Sequence, residues 1–498
     1  MTSKESATPR ISRRQALAGG VALATGVGGA TLATRQYRSP GESEESTYPE
    51  PVYGDADREF SLTATTGEIE VAPSETIQTW LYNGQYPGPE LRVQEGDRVR
   101  ITVENDLSEE TSVHWHGMAL PAANAMDGVP GVTQDPIEPG DEFVYEFDAT
   151  PTETHWYHSH SDLQLDRGLL GPLIVEEADP HVEYDREQTL ILDEYLTGEP
   201  RVESEDGNGG GMMGDMPGAP PYEGTLVNGQ LPDSPSVVTV EEGERVRLRF
   251  INAGAATTYR VAVAGHDIEI THTDGPGVEP IAVDGFDIGM GERYDAIVEA
   301  DEPGTWAIDV EPLDDDAPSG RAILRYDGEE GEPNDERIGD RLLSYADLHA
   351  VDDLDRYGGS PDRTLDLQLS AGGGGGMMGG DGMMGDGNGD GDEWTINGEA
   401  YPDADSIRIE EGEHVRVRLT NHSPMRHPMH LHGHHVLVEG ALQDTVTVPG
   451  HMGQVTIELI ADNPGEWFFH CHHLYHMETG MARIISYEGR ELSIETVE

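Results

Sequence analysis

Cationic side chains are scarce in this 498-residue chain: 30 lysines and arginines stand against 96 aspartates and glutamates, and lysine occurs once, as Lys4. The formal net charge is −66. A chain so anionic is repelled by phosphate backbones and acidic lipid surfaces, which excludes nucleic acid and anionic membranes as partners. Cysteine is scarcer still. Cys471 is the only one, so no intramolecular disulfide can form. Long amphipathic helical patterns are missing, and the one extended apolar stretch, near the start, is too short and glycine-rich for a membrane span. No stable membrane span is expected in the mature chain.

The acidic residues are spread along the whole sequence, in runs such as Glu311-Pro312-Leu313-Asp314-Asp315-Asp316. At low salt, self-repulsion of this size opposes the compact state. At molar salt the Debye length falls to about 3 Å and the repulsion shrinks. The balance reads as a protein of a halophile, a halophilic archaeon by expectation. An acidic surface that gathers metal cations is a compatible alternative. Near the start, Ser12-Arg13-Arg14-Gln15-Ala16-Leu17 opens an Ala/Gly/Val stretch running to about Leu32. A twin arginine before a weakly apolar segment reads as a Tat-type export signal over residues 1–34, with a linker over 35–55. The alternatives are a retained anchor and a disordered terminus. Export to the cell surface or beyond it is the expectation, and a route that carries folded proteins suits a metal site assembled beforehand.

The lone cysteine stands in His470-Cys471-His472, with His476 five residues beyond it and Met481 ten beyond it. A thiolate, two imidazoles and a long thioether contact make up a blue-copper ligand set. Cys471 and His476 supply two of these ligands, and Met481 is placed to be the axial one. On an extended strand alternate residues share a face, so His470 and His472 point away from whatever Cys471 holds. Three further clusters read His114-Trp115-His116-Gly117, His158-Ser159-His160 and His427-Pro428-Met429-His430-Leu431-His432. A lone histidine is usually a hydrogen-bonded core or surface residue. Four clusters at paired spacing, one of them around the sole cysteine, point instead to a second metal centre beside the first.

A repeat sets the domain count. Asn-Gly followed by an alternating run with Glu-Gly occurs at Asn83-Gly84 with Glu95-Gly96, at Asn228-Gly229 with Glu242-Gly243, and at Asn397-Gly398 with Glu411-Gly412. The period is that of whole domains. Alternation such as Arg98-Val99-Arg100-Ile101-Thr102-Val103 means half-buried antiparallel strands, so the chain reads as all-β with three sandwich domains. Their expected limits are 56–178, 179–350 and 351–498. Two clusters fall in the first domain and two in the third, so a shared site would lie between them, with the middle domain as spacer and support. Two low-complexity loops, 207–221 and 372–392, carry Met212, Met213 and Met216, then Met377, Met378, Met383 and Met384. They read either as collectors of Cu(I), which soft thioethers select, or as linkers with incidental methionines.

With these motifs the sequence resembles the multicopper oxidases, the family of laccases, ascorbate oxidase, spore-coat laccases and copper-efflux oxidases, over nearly all residues after about 55. The resemblance implies cupredoxin-like Greek-key β-sandwich domains and four coppers per chain. It implies His427, Cys471 and His476 as type 1 ligands with Met481 axial, and His114 and His430 at the type 2 copper. His116, His158 and His472 would hold one type 3 copper, and His160, His432 and His470 the other. His155, His434, His435 and His473 occupy positions that the family pattern leaves free. Asp127, in Met126-Asp127-Gly128, matches the family's acid near the trinuclear site, although Asp-Gly is also a turn signal. A second acid often follows the last type 1 histidine, but that place is Met477 here, and Glu478 is the nearest substitute.

The implied activity is laccase-like: one-electron oxidation of phenolic or aromatic reductants coupled to four-electron reduction of dioxygen to water. The alternative is a cuprous oxidase in copper detoxification, with Cu(I) as reductant. A copper storage or carrier protein is a weaker reading, since storage does not require the complete cluster of ligands.

Overall fold

The computed structural model describes residues 55–205, 216–314, 317–336, 339–372 and 393–488. The export segment, nearly all of the linker and most of both methionine-rich loops therefore lie outside the described residues. Among those described, strands dominate and the one α-helix is Leu474–Glu478. The strands form three pairs of stacked sheets, spanning Arg58–Glu176, Arg186–Tyr326 and Arg363–Tyr487. The fold is all-β, three cupredoxin-like Greek-key sandwiches. A separate two-stranded ribbon pairs Glu203–Glu205 with Met216–Gly218, and its second strand is buried.

Eight elements position the candidate site. They are β1 (His114–His116), β2 (Glu153–His158), β3 (Arg245–Asn252), β4 (Arg293–Glu299), β5 (Trp394–Ile396), β6 (His427–Leu431), β7 (Glu466–Cys471) and α1 (Leu474–Glu478). The first sandwich pairs β1 with β2 antiparallel, placing His114 opposite His158. The third pairs β6 with β7 antiparallel, placing Met429 opposite Cys471 and His430 opposite His470.

The repeated text becomes a repeated set of bonds. Each Asn-Gly turn holds its asparagine at positive φ, and the carboxamide clamps an adjoining strand. Asn83 Oδ1 accepts from Thr63 N (2.7 Å), Asn228 Oδ1 from Ile191 N (2.7 Å), and Asn397 Oδ1 from Gln368 N (2.7 Å). A second asparagine ends each alternating strand. Asn105, Asn252 and Asn421 each donate Nδ2–H to two backbone carbonyls and accept one backbone N–H two residues on. Deeply buried backbone groups need such partners where the strand ends.

Two expectations change. The alternating strands are not purely antiparallel: each pairs antiparallel on one side and parallel on the other, as Arg98–Asn105 does with Glu142–Asp148 and Arg58–Ala72. Parallel pairing requires the long crossover of a Greek-key fold, which local periodicity cannot reveal. Nor is the polar face of β3 solvent-facing. Arg247 and Arg249 are buried, where they share Glu153 and Asp295 as partners. Charged residues reach such depth only when paired, and the partner Glu153 comes from the first sandwich.

Candidate metal centre

At the end of β7, Cys471 is fully buried, with its Sγ 3.6 Å from His427 Nδ1 and 3.7 Å from His476 Nδ1. The two Nδ1 atoms lie 3.1 Å apart. Three donor atoms this close can all reach one ion at about 2 Å from each. His427 has a defined tautomer. The Ser423 hydroxyl donates to Asn421 Oδ1 (2.8 Å), so it accepts from His427 Nε2–H (2.8 Å), and the Nδ1 lone pair faces the thiol. Burial holds the His427 ring neutral, its pKa lowered to about 3, and pushes the Cys471 thiol up. A metal ion overcomes the latter, because its binding expels the thiol proton. Met481 is fully buried, and its backbone accepts from Cys471 N (3.0 Å) and donates to His476 O (2.9 Å).

Trp394 on β5 caps this group. Its ring lies 4.2 Å from that of His476 and 5.0 Å from that of His427, and its Nε1–H donates to Pro217 O of the two-stranded ribbon (2.8 Å). His473 stacks on His476 with 3.6 Å between centroids.

The residues on either side of Cys471 enter a second, larger group. His160, His432 and His470 bring donor atoms within 4.8 Å of one another; so do His114, His430 and His432, and His114, His116 and His158. His472 joins through ring contacts to His116 (5.0 Å) and His158 (5.4 Å). All eight rings come from β1, β2, β6, β7 and the turns that follow them. The buried nitrogens His114 Nε2, His116 Nδ1, His158 Nε2, His160 Nε2, His430 Nε2 and both of His472 have no hydrogen-bond partner. Left so, each costs about 1–3 kcal/mol, and a bound metal relieves one nitrogen of each ring. Burial lowers the pKa of His116, His158, His432, His470 and His472 well below the usual imidazole range, and that of His160 to about 3. Neutral, buried, convergent imidazoles are a donor set suited to copper in both oxidation states.

Asp127 lies among these rings, fully buried. Its carbonyl accepts from His114 Nδ1–H (2.8 Å) and its Oδ2 from His432 Nδ1–H (2.9 Å), while Oδ1 lies 3.3 Å from His114 Nδ1 and accepts no hydrogen bond. Gly128 explains how it gets there. The next residue has φ +86°, and a Cβ on it would collide with the Val113 carbonyl, so only glycine lets the turn lie against the strand that carries His114. The turn and the acid are one feature. Glu478 ends α1, with its pKa pushed up to about 8 by burial and by the charge of Asp162, two residues beyond His160.

Three of the histidines at positions the family leaves free have other partners. His155 donates to the Pro151 carbonyl (2.9 Å), His434 bridges the His432 carbonyl (2.9 Å) and the Tyr487 hydroxyl (2.6 Å), and His435 reaches the Asp274 carbonyl (2.9 Å). Asp444 went unanticipated. Its Oδ1 lies 3.1 Å from His116 Nε2, and its carbonyl lies 3.0 Å from His430 Nδ1. No spacing in the sequence singles it out. Ser423 and Trp394 were also missed, because neither residue type marks a metal site by itself.

Three family models described as multicopper oxidase match residues 63–180, 187–329 and 381–489. The chain is 33% identical over 451 residues to the multicopper oxidase MmcO of Mycobacterium tuberculosis, covering 82% of this chain and 83% of that protein. It is 28% identical to a copper resistance protein A homolog of Pseudomonas syringae pv. tomato, covering 86% and 92%. Among solved structures, the laccase from Botrytis aclada superposes with a TM-score of 0.73 at 26% identity, covering 90% of each chain.

Proposed function

The chain belongs to the multicopper oxidase family, and from that membership we propose that it oxidises small phenolic or aromatic reductants at the expense of dioxygen, as a laccase does. The observation that carries the reading is the placing of Cys471 between His470 and His472 on three consecutive residues. One side chain belongs to the thiolate group and its two neighbours to the histidine group. Copper held by these groups supplies one-electron acceptance from the reductant at the thiolate and four-electron reduction of dioxygen to two waters at the cluster.

His427, Cys471 and His476 would hold the type 1 copper, with the Met481 thioether as a weaker ligand. His114 and His430 would hold the type 2 copper. His116, His158 and His472 would hold one type 3 copper, and His160, His432 and His470 the other, four coppers per chain in all. The lone pairs left free by the hydrogen bonds of His114, His116, His158 and His430 support this assignment. Asp127 orients His114 and His432 through their Nδ1–H groups, and its Oδ1, which accepts no hydrogen bond, is the atom that would pass a proton beside the cluster. Glu478 is the second proton donor in this reading, supported by its raised pKa near 8 and its nearness to the segment after His160.

A cuprous oxidase is the second reading. Met216, from the methionine-rich loop, is buried on the ribbon that packs against α1, and the next residue accepts the Trp394 hydrogen bond. That loop therefore ends beside the thiolate group. The match to a copper resistance protein A homolog also supports this reading.

The supported domain limits remain 56–178, 179–350 and 351–498, since each sheet pair falls inside one of them. No helix among the described residues is long and apolar enough to cross a membrane. Export through residues 1–34 and a halophilic source complete the reading. Copper quantitation with visible and spin-resonance spectra in molar salt tests the class, and four coppers per chain are expected. Rates on a phenol and on Cu(I), before and after deletion of residues 372–392 and, separately, of residues 207–215, rank the substrates. Selective loss of Cu(I) oxidation favours the cuprous oxidase; equal retention of both activities removes its main support.

A further inference from the structure

We infer that Arg293 of the middle sandwich and Asp444 of the third are positioning residues for the histidine cluster: Arg293 clamps Asp444, and Asp444 fixes which ring nitrogen His116 and His430 present to a metal. The inference rests on copper binding at that cluster, as proposed above.

Arg293, at the start of β4, is buried with every N–H engaged. Nε donates to the Thr154 carbonyl (3.1 Å) and Nη1 to the Gly291 carbonyl (3.1 Å) and Asp444 Oδ1 (2.8 Å). Nη2 donates to the Asp274 carbonyl (2.8 Å) and Asp444 Oδ2 (2.6 Å). The guanidinium thus touches all three sandwiches and grips Asp444 with both arms, a geometry that only a planar fork provides. Asp274 completes the seat, its Oδ2 accepting from the backbone N–H groups of Asp444 (3.2 Å) and Thr445 (3.1 Å). The residue after His116 makes room for this arrangement. A Cβ on Gly117 would collide with Arg293 Nη2 and with His155 Nδ1.

Held this way, Asp444 offers the imidazoles acceptors only. Oδ1 accepts from His116 Nε2–H (3.1 Å), which leaves the lone pair on Nδ1, an unpartnered buried atom. The Asp444 carbonyl accepts from His430 Nδ1–H (3.0 Å), which leaves the lone pair on Nε2, also unpartnered and buried. Thr445 reinforces both: its hydroxyl donates to Asp444 Oδ1 (2.8 Å) and accepts from His116 Nε2 (3.2 Å) and His430 Nδ1 (3.1 Å). The two rings stack at 3.8 Å and 12°, yet they present opposite nitrogens. Spacing alone does not set that choice; the partner on the far side of each ring does. Asp127 does the same for His114 and His432 from the first sandwich. The middle sandwich is therefore more than a spacer, because it anchors one of two acids that hold the cluster's tautomers.

The test compares copper-loaded full-length wild type, Asp444→Asn and Arg293→Lys in molar salt, with Arg249→Lys as a control in the neighbouring buried ion cluster. Asparagine can turn an N–H toward His116 and reverse its tautomer. Lysine keeps the charge but loses the fork. Asp444→Asn is expected to weaken retention of cluster copper against a chelator by roughly 10–100-fold, and Arg293→Lys by less. Both should alter the spin-resonance signal of the cluster while the blue absorption of the thiolate-bound copper stays as in wild type. Arg249→Lys should leave both spectra unchanged. If Asp444→Asn does not fold, the altered signal in Arg293→Lys decides. Wild-type chelator competition and spectra in both variants, with only a lower melting temperature, would overturn the inference. A wild type that binds copper at Cys471 alone would instead refute the reading beneath it.

Discussion

Single side chains at this site act mostly by deciding where another group keeps its proton. Ser423 shows the logic at its smallest: one hydroxyl, committed to Asn421, leaves His427 no option but to donate from Nε2. In the proposed assignment Met481 would donate weakly to the copper at the thiolate site. Replacing it by leucine removes that donation, so Met481→Leu is expected to raise the type 1 potential; a redox titration giving an unchanged or lower value would refute the axial role. Glu177 offers a test away from the metal ligands. Burial, then the charge of Glu153, pushes its pKa up to about 8. Its folded pKa lies above the unfolded one, so the native state binds the proton more tightly. The contribution is complete below about pH 4.5 and is lost as pH rises through about 8. Glu177→Gln should flatten that part of the stability profile in denaturant titrations, and an unchanged slope would argue against the shift.

At the scale of elements, the same short text forms the same joint three times, and this was legible in advance. The Asn-Gly pattern marked three domains, and each pattern forms the same clamp. Burial should grade the worth of these asparagines. Asn252 is fully buried with three backbone partners, whereas the clamps of Asn397 are exposed. Asn252→Ala should therefore cost about 2 kcal/mol or more and Asn397→Gly, which keeps the positive φ without strain, about 1 kcal/mol or less, since water replaces only the exposed bonds. Chemical denaturation in molar salt measures both, and equal losses would contradict the argument. A second joint was not legible. His266 and His434, which no spacing related, each bridge a nearby carbonyl and a tyrosine hydroxyl, Tyr326 and Tyr487, beside Trp306 and Trp467. The partners lie up to 60 residues away, so the relation appears only once the sheets have formed.

For the whole molecule, charge and metal set the conditions of stability. With a formal charge of −66, the folded state should lose stability steeply as salt falls from molar to about 0.1 M, where the Debye length grows from about 3 to about 10 Å. Melting curves across that range check this, and a flat response would remove the argument for a halophilic protein. Chelation of copper should lower the melting temperature further in molar salt, because the ring nitrogens that face the metal have no other partner. An equal melting point for stripped and loaded protein would speak against metal in the histidine group.

Local order alone determined a good deal here. Alternation gave strands, the repeat gave three sandwiches, and the paired spacing around a sole cysteine singled out the side chains that the fold brings together. These signals are short-range, written within one strand or one turn, so a linear reading captures them. The parallel pairings, the burial of Arg247 and Arg249, and the reach of Arg293 from the middle sandwich to Asp444 were decided only by tertiary structure. An arginine in an alternating strand looks the same whether it meets water or a carboxylate 151 residues away. Burial and pairing depend on what the rest of the chain places opposite, and no local pattern records that.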